Sequence, residues 1–125
     1  MRVLVVEDQW LIATDLADAL LAAGHQVIGP ALDSTHALLL AASEHPQLAL
    51  IDIDLERRGI GLEIAERMHS EHDTAVIFTT AQPTLARTCH WAFGLICKPY
   101  DVTEAAAAVD AVEMQLKSSD GALCV

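Results

Sequence analysis

The sequence predicts a doubly wound α/β domain built on a parallel five-stranded sheet. Short apolar runs alternate with longer segments of helical periodicity, the runs show almost no polar alternation, and Gly or Pro lies between most of them. Strands without polar alternation are buried on both faces, as in parallel sheets covered by helices on either side. Right-handed crossovers between such strands then give a single sheet with helices on both faces.

Five apolar runs have the length and composition of buried strands. Each is short and consists mainly of Val, Ile and Leu, which buried strands favour. The runs occupy residues 3–6, 27–31, 48–53, 75–78 and 95–97. The connections between them contain Gly24, Pro46 and Pro83, residue types that are typical of turns. The order is therefore five strand–helix units.

The helical segments share apolar residues at three- and four-residue steps, which place them on one face of a helix. These stripes are Ile12, Leu16 and Leu20; Leu62, Ala65 and Met68; and Val102, Ala105, Val109, Val112 and Leu116. Residues 34–44 are apolar nearly all round, so the phase of that helix stays open. Asp101 and Glu104 have the spacing of a capping box at the start of the last helix, with Asp in place of Ser or Thr.

The chain length and composition suit one folded domain. The chain has 125 residues, of which 53% are hydrophobic, so it can bury a substantial core. The last helical pattern ends near Lys117. We therefore expect a domain over residues 1–117, a C-terminal tail over residues 118–125, and no second domain with an output activity.

The charge balance restricts the class of partner. The formal net charge is −11 and the pI is about 4.6. We do not expect nonspecific nucleic-acid binding, because binding to phosphates requires a basic surface. No apolar run reaches the roughly 18 residues that a membrane span requires. The first apolar run is too short for a signal peptide, and Cys89, Cys97 and Cys124 lack metal-type spacing, so we expect a cytoplasmic protein.

Charged and polar residues collect where the predicted strands end. In an open parallel sheet, ligands bind beyond the carboxyl ends of the strands. The residues there are Glu7 and Asp8 after the first strand, Asp52 and Asp54 after the third, Thr80 after the fourth and Lys98 after the fifth. Each of them alone is more common as an ordinary surface or strand residue. Together they predict a site at one edge of the sheet.

The chemistry of that set points to a metal ion and a phosphoryl group. Neighbouring carboxylates repel each other unless a cation lies among them, and an oxygen site of few carboxylates suits Mg²⁺. A carboxylate can act as a nucleophile and form an acyl phosphate. A lysine and a hydroxyl can bind the remaining phosphoryl oxygens.

With these residues in this order, the sequence resembles the response-regulator receiver family over nearly its whole length. The matching stretches are residues 3–8 (VLVVED), 48–55 (LALIDIDL), 61–63 (GLE), 80–81 (TA) and 98–99 (KP). The resemblance implies a flavodoxin-like (βα)5 fold with strand order 2-1-3-4-5. It also implies a cytoplasmic signalling domain and not an enzyme in the ordinary sense.

The resemblance also implies a role for each site residue. Asp52 matches the aspartate that accepts a phosphoryl group from a sensor histidine kinase or a histidine phosphotransfer protein. Glu7 and Asp8 match the acidic pair that holds Mg²⁺ with Asp52, and Asp54 matches the position whose backbone carbonyl completes the metal site. Thr80 and Lys98 match the hydroxyl and the lysine that contact the phosphoryl group. The family also predicts a cis bond before Pro99.

Three features of the sequence depart from the family pattern. Leu95 replaces the usual Tyr or Phe, Glu56 replaces a frequent proline, and the span from Thr80 to Lys98 is about one helical turn short. We therefore expect a short or irregular fourth helix. Residues 78–81 (FTTA) are similar to the FAT GUY subgroup, whose motif has Ala and Gly where Thr79 and Ala81 stand here. That subgroup tends to work with kinases of the HWE type.

Three functional hypotheses follow. The first is a stand-alone response regulator, a monomer or weak dimer, whose phosphorylation at Asp52 changes its affinity for a downstream protein through the fourth helix, fifth strand and last helix. The second is a receiver-like module that binds proteins without phosphorylation, suggested by Leu95 and the short fourth helix. The third is a phosphatase of the haloacid dehalogenase type, since Asp52 and Asp54 form a D-x-D motif. In those enzymes, however, this motif follows the first strand.

Overall fold

The structure is a computed structural model that describes residues 1–56, 59–86 and 89–123, with side chains omitted at 85–86 and 119–123. Cys124 lies outside the described residues. The elements are the strands β1 (Arg2–Val6), β2 (Gln26–Ala31), β3 (Leu48–Asp52), β4 (Ala75–Thr80) and β5 (Gly94–Cys97), the helices α1 (Trp10–Ala22), α2 (Ser34–Glu44), α3 (Ile60–His72) and α4 (Val102–Leu123), and a 3₁₀ helix (Pro83–Ala86).

The five strands form one parallel sheet in the order β2-β1-β3-β4-β5, which confirms the predicted flavodoxin-like topology. The register aligns the ends of the strands. Val6 pairs with Ile51 across β1 and β3, and Asp52 pairs with Thr79 across β3 and β4. Glu7 and Asp52, each one step further along its strand, therefore lie at the same edge.

The sheet has a hydrophobic core on each face, which explains the absence of polar alternation. Val3 and Val5 of β1 belong to a cluster with residues of α1 and α4, whereas Leu4 and Val6 belong to a cluster with residues of α2 and α3. Successive side chains of a strand point to opposite faces, so both kinds of position must be apolar. Burying each large side chain stabilises the fold by about 1.5–3 kcal/mol.

The predicted apolar stripes lie on the inward faces of the helices, with Ile12, Leu62, Val102 and Leu116 partly buried. Leu16 and Leu20 of α1 are buried, as are Ala105, Val109 and Val112 of α4. The open phase of α2 is also settled by the structure. Its buried residues are Ala37 and Ala41, and Leu39 is 63% exposed.

The connection between β4 and β5 contains one 3₁₀ turn, Pro83–Ala86, among its described residues. This confirms the expectation of a short fourth helix. Trp91 packs against the β4 core residue Phe78, with ring centroids 6.1 Å apart, and stacks on His69 at 4.4 Å. Leu95 on the edge strand β5 is 40% exposed.

The last helix is longer than the sequence predicted. It continues past Lys117 as far as Leu123, so residues 118–123 are helical. No proline interrupts this stretch, and extending an existing helix costs little free energy compared with starting one. None of the described helices combines the length and apolar character needed to cross a bilayer.

Candidate functional site

Four strand ends bring the predicted site residues to one edge of the sheet. Glu7 follows β1 directly, Asp52 is the last residue of β3, Thr80 is the last residue of β4, and Lys98 follows β5. The bond from Lys98 to Pro99 is cis, as the resemblance implied. Glu7, Asp52 and Thr80 are each at most 3% exposed. These three side chains are therefore buried at the edge of the core and do not lie on a solvated loop.

The Asp52 carboxylate is held by one donor on each oxygen. Lys98 Nζ donates to Asp52 Oδ2 at 2.8 Å, and the backbone N–H of Asp54 donates to Asp52 Oδ1 at 3.0 Å. Burial opposes the charge of Lys98, but the hydrogen bond to Asp52 and the negative charges of Glu7 and Asp52 outweigh it. They raise the pKa of Lys98 above its ordinary value of 10.5. The two groups therefore meet as an ion pair.

Glu7 is the buried acid of the site whose surroundings disfavour its charged form. Its Oε1 accepts the backbone N–H of Gln9 at 3.1 Å. Its Oε2 lies 3.7 Å from Lys98 Nζ and accepts no hydrogen bond from the part of the chain that the structure describes. Burial first, and then the negative charge of Asp52, raise the pKa of Glu7 from 4.5 to about 7. The N–H of Gln9 and the charge of Lys98 act in the opposite direction.

Three carboxylates converge in a way that fits a divalent cation. Glu7, Asp8 and Asp52 each offer an oxygen, and these oxygens all lie within 4.8 Å of one another. The donor set is all oxygen and carries more negative charge than Lys98 can balance, which suits Mg²⁺. The buried Glu7 Oε2, with no hydrogen bond from the described residues, is the kind of atom that a bound cation would satisfy. The residues present therefore fit the metal that the resemblance implied.

Asp54 and Thr80 have other contacts in this structure. The half-buried Asp54 uses its N–H to hold Asp52, and its carboxylate is not among the three convergent groups of the described residues. Its predicted role through the backbone carbonyl stays a prediction. The Thr80 hydroxyl accepts the N–H of Gln82 at 2.8 Å. Its own proton remains available for donation, so the predicted contact with a phosphoryl group also stays a prediction.

Two residues next to the site, Tyr100 and Glu56, were not predicted from the sequence. Tyr100 has a buried hydroxyl with no hydrogen-bond partner among the described residues. Burial, followed by the charge of Glu7, raises the pKa of this phenol. Tyr100 also lines a groove of about 420 Å³ with Lys98 and Val102. Its signal in the sequence was an aromatic side chain two residues after the site lysine.

Glu56 is the second neighbour, and the sequence marked it only as a missing proline. Its backbone N–H donates to Asp8 Oδ2 at 3.2 Å, so it contacts one of the three convergent carboxylates directly. The backbone of Glu56 has φ +57°, a value that proline cannot adopt. The departure from the family pattern is therefore part of the site.

The arrangement supports phosphoryl chemistry on Asp52. A carboxylate oxygen is a competent nucleophile, and the acyl phosphate it forms carries charge that a lysine ammonium and a hydroxyl proton can stabilise. Lys98 already contacts the nucleophile, and Thr80 ends the neighbouring strand. The haloacid dehalogenase reading loses support because Asp52 lies on the third strand and not on the first.

Comparisons with known proteins identify the family of the chain. Residues 3–110 match the response regulator receiver domain family. The transcriptional regulatory protein PdtaR of Mycobacterium tuberculosis is 30% identical over 113 residues, covering 87% of this chain and 55% of PdtaR. The phyllosphere-induced regulator PhyR of Methylorubrum extorquens is 36% identical over 112 residues, covering 86% of this chain and 42% of PhyR. The chain thus spans about half the length of these relatives.

Solved structures of response regulators superpose on this chain. PhyR from Brucella abortus superposes with a TM-score of 0.86 at 28% identity, covering 98% of this chain and 51% of that protein. A response regulator receiver domain protein from Clostridium thermocellum superposes with a TM-score of 0.81 at 20% identity, covering 93% of this chain and 96% of that protein, and supports the fold alone. With the family match extending over residues 3–110, the chain belongs to the response regulator receiver domain family.

Proposed function

We propose that this chain is a response-regulator receiver domain that accepts a phosphoryl group on Asp52. The donor is the phosphohistidine of a sensor histidine kinase or of a histidine phosphotransfer protein in the cytoplasm. The observation that carries the proposal is the buried Asp52 carboxylate, which is paired with Lys98 at 2.8 Å and lies beside the carboxylates of Glu7 and Asp8.

The reaction is a displacement at phosphorus. An oxygen of Asp52 forms the new O–P bond while the P–N bond to the imidazole breaks, and the bonding electron pair returns to the ring nitrogen. Lys98 moves from the Asp52 oxygen to a phosphoryl oxygen, and the Thr80 hydroxyl donates a hydrogen bond to another. Glu7, Asp8, Asp52 and the carbonyl of Asp54 would hold Mg²⁺, which when bound neutralises charge on the transferring group.

The output of this switch is a change in affinity for a protein. Receiver domains are signalling domains and not enzymes in the ordinary sense, and this one reaches its target through β5, α4 and the shortened connection before β5. The net charge of −11 directs it to a protein partner and away from nucleic acid. The similarity of residues 78–81 to the FAT GUY subgroup favours a kinase of the HWE type as donor.

Intact-mass measurement after incubation with acetyl phosphate and MgCl₂ tests this function. We expect one phosphoryl adduct on the wild-type chain. Asp52→Asn should abolish the adduct, because the amide has no nucleophilic oxygen anion, and so should chelation of the metal with EDTA. An adduct of equal yield on Asp52→Asn would disprove the proposed phosphoacceptor.

A phosphorylation-independent binding module is the second candidate. It is favoured by Leu95, which is 40% exposed where the family usually carries an aromatic residue. In that case neither acetyl phosphate nor a cognate kinase would label Asp52. A target captured equally well by wild type and Asp52→Asn would then support this candidate over the first.

A further inference from the structure

Glu56 connects the acidic edge of the sheet to the start of helix α2. Its backbone N–H donates to Asp8 Oδ2 at 3.2 Å. Its carboxylate Oε1 accepts the backbone N–H of Ser34 at 2.7 Å, and the Ser34 hydroxyl lies 3.2 Å and 3.3 Å from the two carboxylate oxygens. One residue therefore contacts a candidate metal ligand with its backbone and the start of α2 with its side chain.

The contact with Glu56 gives the backbone N–H of Ser34 a hydrogen-bond acceptor. The first N–H groups of a helix have no partner within the helix, and Ser34 is the first residue of α2. Asp33 caps the N–H of His36 at 2.7 Å but leaves the N–H of Ser34 to Glu56. A carboxylate at this end is also favoured by the helix dipole. Glu56 is thus anchored at a fixed point of the scaffold.

That anchor fixes the direction of the Glu56 N–H. The backbone of Glu56 has φ +57°, a conformation that a residue other than glycine adopts only when its surroundings hold it there. The hydrogen bonds from the N–H and the hydroxyl of Ser34 hold the Glu56 side chain beside this backbone. This N–H holds Oδ2 of the exposed Asp8, and the same carboxylate offers an oxygen within 4.8 Å of oxygens of Glu7 and Asp52.

We propose that Glu56 is a positioning residue for the metal site, which orients Asp8 and couples cation binding at the sheet edge to the first turn of α2. The proposal rests on the metal-dependent function proposed above. Groups that orient metal ligands in this way typically change metal affinity by about 10- to 100-fold when removed. Coupling between binding sites is reciprocal, so a partner that displaces the Ser34 contact and weakens cation binding would itself bind more weakly, by the same factor, when the cation is present.

A set of matched variants tests the role of the carboxylate. Glu56→Ala keeps the N–H and the Cβ, and therefore the backbone preference, but removes the anchor. Glu56→Gln keeps an oxygen that can accept the Ser34 N–H. Glu66→Gln, at an exposed position of α3, removes one negative charge elsewhere. Because Glu56→Gln and Glu66→Gln lose the same charge, long-range electrostatics are matched between them.

The measurement is a MgCl₂ titration of the 125-residue chain and of each variant, followed by tryptophan fluorescence and by the amide signals in a ¹H–¹⁵N spectrum. Trp10 lies two residues after Asp8 and is 58% exposed. We expect Glu56→Ala to bind Mg²⁺ about tenfold more weakly than wild type. Glu56→Gln and Glu66→Gln should stay close to wild type. The Ser34 amide should shift on Mg²⁺ addition in wild type and not in Glu56→Ala.

A merely structural role predicts a different pattern. Glu56→Ala would then lower the melting temperature in EDTA and leave the Mg²⁺ dissociation constant unchanged, which would overturn the positioning role. Failure of the wild-type chain to bind Mg²⁺ at all would instead remove the proposed function and this inference with it. Wild-type binding with an unchanged Glu56→Ala titration overturns the inference alone, so the two failures are distinguishable.

Discussion

Lys98 is the positive neighbour shared by the two buried carboxylates of Glu7 and Asp52. It contacts Asp52 at 2.8 Å and Glu7 at 3.7 Å, and Asp8 adds a third carboxylate nearby. Burial makes this imbalance costly, because a charge removed from water needs a partner of opposite sign. Without a metal ion, the negative charges of the site therefore exceed its positive charge. This imbalance should make the stability of the fold depend on pH.

The first prediction concerns the pH dependence of stability through Glu7. Its folded pKa of about 7 lies above the ordinary 4.5, so the folded state holds this proton more tightly than the unfolded state. The resulting stabilisation is fully present below pH 4.5 and is lost as the pH rises to about 7. We expect the metal-free wild type to lose on the order of 1–3 kcal/mol of stability across this window relative to Glu7→Gln.

Urea unfolding of both chains in EDTA, at intervals from pH 4.5 to pH 8, measures this difference. Glu7→Gln keeps an acceptor for the N–H of Gln9, so it isolates the ionisation from the hydrogen bond. The raised pKa of Glu7 would be refuted by a wild-type minus Glu7→Gln difference that stays constant over the whole range.

The second prediction concerns the ion pair between Lys98 and Asp52. Lys98→Met leaves the Asp52 and Glu7 carboxylates without their cation, and we expect a loss of about 2–3 kcal/mol in EDTA at neutral pH. This is below the roughly 3–5 kcal/mol typical of fully buried pairs, because the Lys98 side chain is 20% exposed. In the Asp52→Asn background the same substitution should cost less.

A double-mutant cycle from denaturant midpoints gives the coupling energy between the two side chains. We expect a coupling of at least about 1 kcal/mol, since the groups are in direct contact. Additive losses would mean that Lys98 acts on Glu7 alone.

At the scale of elements, the first turn of α3 is pressed against the end of β3. A Cβ added at Gly61 would collide with the Asp52 carbonyl oxygen and would lie 2.6 Å from Ile53 Cα. These are backbone atoms and cannot swing aside. The N–H of Gly61 also donates to the carbonyl of Ile53 at 3.2 Å, so glycine lets the helix approach the site closely.

The third prediction follows from this contact. Gly61→Ala should destabilise the fold by at least about 2 kcal/mol, as expected for overpacking against rigid neighbours. It should also weaken Mg²⁺ binding, because the backbone of Asp52 must move. Gly94→Ala in β5 is the matched control, since its added Cβ would meet only the Ile77 side chain, at 3.8 Å. Equal melting temperatures for the two variants would contradict this account of the packing.

The elements also show which features the sequence could predict. The strands and the convergence of Glu7, Asp52, Thr80 and Lys98 follow from apolar runs and from the rule that ligands bind beyond the carboxyl ends of parallel strands, whereas the strand order was implied by the family resemblance. The contact between Glu56 and Ser34 joins positions 22 residues apart through a rotamer and a positive φ, which no periodicity encodes. The extension of α4 to Leu123 was missed because residues 118–123 carry no apolar stripe.

At the scale of the whole molecule, the net charge of −11 adds a general repulsion to the local imbalance of the site. Any salt screens that repulsion and favours the compact state. A cation that binds the folded state specifically adds a second contribution, which depends on its concentration relative to its dissociation constant. The two effects must be separated, because both raise the melting temperature.

The fourth prediction is that Mg²⁺ stabilises the folded chain beyond the effect of ionic strength. At a free concentration of 100 times its dissociation constant, a ligand specific for the folded state contributes about 2.7 kcal/mol. We therefore expect MgCl₂ to raise the melting temperature well above NaCl of equal ionic strength in the wild type. In Asp8→Asn the two salts should act nearly alike, because one of the three convergent carboxylates is lost. Equal curves for the two salts in the wild type would leave the acidic edge without a specific cation.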